Sequence, residues 1–109
     1  MKNNEEITMQ QQGDVVIKQA EAIPAGAIRQ KRQAKGYILA EGEATGHHHA
    51  IKEEVELYEY AGKLYLKNDV EATLVHEEHH TQTIPPGIWE IDQVREFDYL
   101  EQITRRVVD

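Results

Sequence analysis

Val55-Glu56-Leu57-Tyr58-Glu59-Tyr60-Ala61-Gly62-Lys63-Leu64-Tyr65-Leu66-Lys67 is the stretch on which the fold turns. Val55, Leu57 and Glu59 alternate with Glu56, Tyr58 and Tyr60, the period of two that sends successive side chains to opposite faces of a strand. Ala61-Gly62 falls where a two-residue hairpin turn belongs, and Lys63-Leu64-Tyr65-Leu66-Lys67 returns as the partner strand. Further on, Asn68-Asp69 turns again and Val70-Glu71-Ala72-Thr73-Leu74-Val75-His76 alternates as a third strand. Pro85-Pro86-Gly87 forces another turn, because proline has no N–H to give a ladder, and residues 88–94, with Trp89 and Ile91, read as a strand. In the other direction, Val15-Val16-Ile17 after Gly13-Asp14, and Tyr37-Ile38-Leu39-Ala40 after Gly36, are apolar runs of strand length. Ala22-Ile23-Pro24-Ala25-Gly26 reads as a loop, and residues 27–35 are mixed and basic and fit a short helix or a strand equally. Residues 97–102 read as a turn or helical loop, and 103–108 as one more strand. Turn signals at this spacing predict an all-β fold, a small single-domain barrel or sandwich over residues 13–109. A polar arm over residues 1–12, closed by Gln10-Gln11-Gln12, precedes it.

The composition narrows the function. A chain of 109 residues with 39% hydrophobic side chains can build one modest core. Twenty acidic residues against 12 basic give a net charge of −8, which argues against capture of nucleic-acid phosphates over a broad surface. Arg29, Lys31, Arg32 and Lys35 form a local exception, as do Arg95, Arg105 and Arg106, and either group suits a small phosphate or simply a solvated face. No apolar run reaches the roughly 18 residues of a membrane-spanning helix, so no membrane partner is expected. With no apolar segment among the first residues and no cysteine, a cytoplasmic location is expected. The absence of both serine and cysteine removes serine- and cysteine-based covalent catalysis. Gly42-Glu43-Ala44-Thr45-Gly46 lacks the Gly-Lys-Ser/Thr ending of a phosphate-binding loop.

All six histidines lie in two short clusters, His47-His48-His49 and His76-Glu77-Glu78-His79-His80, each beside carboxylates. Imidazole with carboxylate suits a divalent ion such as zinc, iron, manganese, nickel or copper. If the first cluster is extended, His47 and His49 share a face, and the intervening hairpin would bring them towards His76, His79 and His80. Glu53 or Glu54 would complete a first shell. His76-Glu77-Glu78-His79-His80 also contains the letters H-E-x-x-H, but that zinc motif needs a helix. Here strand-like Thr73-Leu74-Val75 precedes it and Pro85-Pro86 follows, so the helical reading is rejected.

Gly42-x4-His47-x-His49-x3-Glu53, followed by a hairpin at Gly62, resembles the first metal motif of cupins, and Pro85-x-Gly87 resembles the second. That resemblance implies a small β-barrel with two His and one Glu ligand from the first motif. The spacing from glycine to histidine is one residue short, and Glu90 stands where the second motif places its last histidine, so His76 or His79 would have to substitute. Over most of its length the chain is also similar to a set of small uncharacterised proteins encoded by bacteria and their viruses. The likeness is carried by Gln12-Gly13-Asp14-Val15, Ala40-Glu41-Gly42-Glu43-Ala44-Thr45-Gly46-His47, Thr73-Leu74-Val75-His76-Glu77-Glu78-His79, Pro85-Pro86-Gly87 and Arg105-Arg106-Val107, and it implies no activity.

The expectation that follows is a small protein binding a divalent metal ion (zinc, iron, manganese or nickel) through His47, His49, His76 and His79. Were it an enzyme, the ion would act as a Lewis acid or activate water, with Glu53, Glu77 or Glu78 carrying the proton. The competing expectation is an acidic interaction or assembly module, a virus-encoded inhibitor or structural component, using a face formed by Tyr58, Tyr60 and Tyr65. A third joins the two: the histidines meet across a homo-oligomer and hold metal or sense pH there.

Overall fold

The structure, a computed structural model, describes residues 9–41 and 48–93. The alternating stretch that opened the sequence reading forms β6 (Glu56–Tyr60) and β7 (Lys63–Asn68), with Leu57 opposite Leu66 and Tyr58 opposite Tyr65. Ala61 and Gly62 both have positive φ, 53° and 82°, as a tight hairpin twisted with its strands requires. Glycine takes that conformation freely; Ala61 takes it against the crowding of its own Cβ.

The remaining strands are β1 (Met9–Gln12), β2 (Val15–Gln19), β3 (Ile28–Gln30), β4 (Tyr37–Glu41), β5 (His48–Ile51), β8 (Ala72–His76), β9 (His79–Ile84) and β10 (Gly87–Gln93). They form two sheets, one of six strands in the order β1-β2-β10-β7-β6-β3 and one of four in the order β4-β5-β8-β9. Every neighbouring pair is antiparallel. The inward positions of both sheets interdigitate: Val15, Ile17, Leu57, Leu66, Trp89 and Ile91 from the larger sheet meet Ile51, Ala72, Leu74 and Ile84 from the smaller. This is the sandwich of the expected all-β fold, with the hydrophobic residues of each strand on the face the alternation assigns them. The ambiguous stretch from residue 27 resolves into β3 and a loop held by paired Gln33–Gly36 backbone hydrogen bonds.

Met9–Gln12, read from its polarity as the end of a loose arm, is instead an edge strand paired to β2, and its glutamines close one side of the sandwich. Gln10 Nε2 donates to Gln82 Oε1 at 2.9 Å, Gln82 Nε2 to the Gln11 carbonyl at 2.7 Å, and Gln12 Nε2 to the His80 carbonyl at 2.8 Å. Side-chain amides thus bridge β1 to β9 where, among the described residues, no backbone ladder joins the two sheets. The strand expected over 103–108, the loop over 97–102 and residues 1–8 of the arm lie outside the described residues.

Pro85-Pro86-Gly87 is a turn fastened from two sides. Asn68 Nδ2 donates to the carbonyls of Val70, Ile84 and Pro85, and Trp89 Nε1 donates to the Pro85 carbonyl at 3.1 Å. Its place is structural. Glu90, one strand position beyond Trp89, accepts from Lys63 at 2.6 Å, and the chain of ion pairs continues from Lys63 through Asp92 to Lys18.

Candidate functional site: a histidine row

The register of the four-stranded sheet sets three histidines side by side. Ala50 pairs with Val75, so His49 stands opposite His76, and His76 pairs with His79 across the β8–β9 turn. The three therefore form one row across β5, β8 and β9. His49 shares its face with Ile51, and His76 with Leu74, so the row continues the inner surface of the sandwich at the end of the core. Ring centroids are 4.2 Å apart for His49 and His76, 4.6 Å for His76 and His79, and 5.8 Å for His49 and His79. His76-Glu77-Glu78-His79 is a hairpin turn and not a helix, as the rejection of the helical zinc motif required.

The β1–β2 turn, Gln12-Gly13-Asp14, covers the row. Gln12 is buried, and its Nε2 is committed to the carbonyls of Leu74 at 3.1 Å and His80 at 2.8 Å. That fixes the amide, so its Oε1 faces His49 Nδ1 at 2.8 Å, and Nδ1 must carry a hydrogen. The other ring nitrogen, Nε2, faces Asp14 Oδ1 at 3.0 Å, and Gln93 Nε2 steadies the second Asp14 oxygen at 2.8 Å. Gly13 has φ +58°, and a Cβ there would come within 2.5 Å of His79 Nε2, so the turn lies against the row as only glycine allows.

His49 is only 3% exposed, whereas the Asp14 side chain is 45% exposed. Burial, foremost, and the nearby His76 lower the His49 pKa from the ordinary histidine value; Asp14 raises it, and His79 lowers it further. The ion-pair geometry alone favours an imidazolium. Burial prevails, because water screens the half-exposed Asp14 charge but does not reach the ring. With its hydrogen on Nδ1, a neutral ring would turn the Nε2 lone pair towards the carboxylate oxygen at 3.0 Å, whereas an imidazolium would donate to it.

The other expected site residues are distributed as follows. Glu53 is brought near neither His49 nor His76: its carboxylate accepts from the Thr73 amide at 2.6 Å and the Thr73 hydroxyl at 2.5 Å. Thr73 lies three residues from His76, about 10 Å along β8. Glu54 accepts from the Tyr37 hydroxyl at 2.8 Å. Glu77 accepts from the His48 amide at 3.0 Å and lies 3.9 Å from Lys35, and the Glu78 amide donates to His76 Nδ1 at 3.0 Å. His47 lies outside the described residues, as do Gly42, Gly46, Arg95, Arg105 and Arg106. Among the described residues no group of three or more His, Cys, Asp or Glu is arranged to hold a metal ion as the side chains stand. Gln12, Gly13 and Asp14 are the residues that sequence reasoning missed as part of the site; their signal was a glycine turn between polar residues.

The fold and the row define a small antiparallel β-sandwich with a polar, histidine-lined end. Residues 11–94 match the family described as Domain of unknown function (DUF8820), and the chain belongs to that family. The matched span contains Gln12, Asp14, His49, His76 and His79. No curated protein and no solved structure matches the chain. No helix among the described residues is long and apolar enough to cross a membrane.

Proposed function

We propose that the protein binds one divalent transition-metal ion at the end of the sandwich through His49, His79 and Asp14, with His76 beside them. The observation that carries this reading is the facing pair of His49 Nε2 and Asp14 Oδ1 at 3.0 Å. Two donors of one tetrahedral ion bound at about 2.0 Å sit about 3.3 Å from each other, and imidazoles on such an ion have centroids about 5 Å apart. The two proposed imidazole ligands, His49 and His79, have centroids 5.8 Å apart, wider than that value, so their rings would turn inward to share an ion. Gln12 then serves as the outer partner that fixes the His49 tautomer and leaves Nε2 for the ion, the arrangement metal-bound histidines generally have. Zinc, nickel, iron or copper would suit this donor set, which offers imidazole and carboxylate and no sulfur. A bound ion would act as a Lewis acid on whatever shares its shell.

The test is titration of metal-free protein with cobalt(II), read by its visible absorption. Saturation at one equivalent with a four-coordinate spectrum, lost in both His79→Gln and Asp14→Asn, is the expected result. No absorption change, or the same titration in both variants, would exclude the reading.

One observation favours a second reading. Both His49 nitrogens face acceptor oxygens, so a proton can take the place of the ion and make His49 a charged latch between Gln12 and Asp14. In that case metal-free protein shows a His49 ring with both nitrogens protonated at neutral pH by nitrogen-15 NMR, and zinc leaves the ring signals unchanged.

A further inference from the structure

The opposite face of the same sheet carries a second feature. His48, Ala50 and Lys52 alternate outward on and just after β5, and Val75 lies beside Ala50 on β8. The loop between β3 and β4 folds over them, placing Ala34 and Lys35 as a wall. Its near end is pinned by Arg32, whose Nη2 donates to the Lys52 carbonyl at 2.9 Å. Between the loop and the sheet lies a cleft of about 410 Å³, within the usual range for a small-molecule site.

The chemistry of the cleft runs against that of the whole chain. In a protein of net charge −8, its rim gathers Lys35 and Lys52, with Arg32 behind them. Glu77 also lines it, but its 3.9 Å approach to Lys35 is a loose, exposed pair that contributes little and leaves the ammonium able to turn to a ligand. Lys52 makes no direct ion pair with a carboxylate among the described residues; it attracts Glu53 through space, while the Glu53 carboxylate is hydrogen-bonded to Thr73. His48 Nδ1 is buried at the wall without a hydrogen-bond partner among the described residues. The floor of Ala50 and Val75 is apolar. Two ammonium groups, an imidazole with an unmet ring nitrogen and a small apolar floor match a compact anionic group on a small organic body.

We propose that this cleft binds a small molecule bearing a phosphate or carboxylate group, held by Lys35 and Lys52 and positioned against His48. The cleft adjoins the histidine row through His76, which also lines it, but Lys35, His48 and Lys52 do not belong to the row.

The test uses the full chain, stripped of metal on a chelating resin, titrated separately with inorganic phosphate and with succinate while backbone amide shifts are followed. Saturable shifts at Lys35, His48, Ala50 and Lys52 with a Kd of about 1 mM or tighter are expected for at least one probe, and which probe saturates distinguishes phosphate from carboxylate. Lys52→Gln and Lys35→Gln should each weaken binding by about tenfold. Lys18→Gln, on the larger sheet, should leave it unchanged, and so should His79→Gln, which removes the proposed metal ligand. Failure of both probes to saturate, shifts spread over Lys18, Lys63 and Lys67, or undiminished binding in Lys52→Gln would each overturn the proposal. Loss of binding in His79→Gln would also overturn it, by tracing the anion to the row.

Discussion

Replacing Gln12 by alanine is expected to destabilise the protein by about 3–5 kcal/mol, more than a polar residue at a sheet edge ordinarily would. Gln12 is 1% exposed and makes three hydrogen bonds, to the Leu74 and His80 carbonyls and to His49 Nδ1. Alanine strips all three partners while leaving them in the interior, at roughly 1 kcal/mol each, and opens a void that adds about another 1 kcal/mol. A domain of this size has only about 5–15 kcal/mol in total, so the variant should fold yet unfold at much lower urea. With a slope of about 1–2 kcal/mol per M, the urea midpoint should fall by about 2 M or more. Gln11→Ala is the control: among the described residues its Nε2 bonds only the Gly13 carbonyl, at 2.8 Å from a half-buried position, and the loss should stay below about 1 kcal/mol. Gln12→Glu sharpens the assignment, since a carboxylate can accept from His49 but cannot donate to either carbonyl; it should be as damaging as alanine. A Gln12→Ala loss under about 1 kcal/mol would refute the argument that this residue joins the two sheets and sets the His49 tautomer.

Gly13→Ala should cost about 1–2 kcal/mol through its φ of +58° and, because the new Cβ meets His79 Nε2 at 2.5 Å, displace that ring; unaltered His79 ring shifts by NMR would contradict the packing. Ala61→Gly should stabilise by about 0.5–1 kcal/mol, since φ 53° is strained for alanine, and a lower melting temperature would count against that reading. Glu53→Gln should lose about 1–2 kcal/mol of hydrogen bonding to Thr73 without changing metal uptake. Desolvation raises the Glu53 pKa, but the hydrogen bonds from the Thr73 hydroxyl and amide outweigh it and the value is lowered in the folded protein. The stabilisation is therefore complete above the ordinary glutamate value and lost as the pH falls through the lowered one; equal acid sensitivity of wild type and Glu53→Gln would exclude it.

The β6–β7 hairpin was legible because one face of each strand is buried and the other wet, which writes a period of two into the sequence. β9 was not legible. His79-His80-Thr81-Gln82-Thr83 at a sheet edge buries little apolar surface, and a register shift against β8 breaks the alternation. β1 misled for a related reason: its glutamines are held by amide hydrogen bonds, and composition registers only their polarity. The meeting of His49 with His76 and His79 was anticipated from strand alternation and the intervening hairpin. The Gln12 and Asp14 contacts join residues 37 and 35 positions from His49 across two different sheets, and no local periodicity encodes that.

Native mass spectrometry of untagged wild-type protein, alongside His79→Gln and Asp14→Asn, after exposure to one equivalent of zinc tests the central claim most directly. The account predicts one ion per wild-type chain and none retained in either variant, with all three folded. A wild-type chain that leaves zinc in solution, or variants that hold it equally, would contradict the assignment of the histidine row as a metal site.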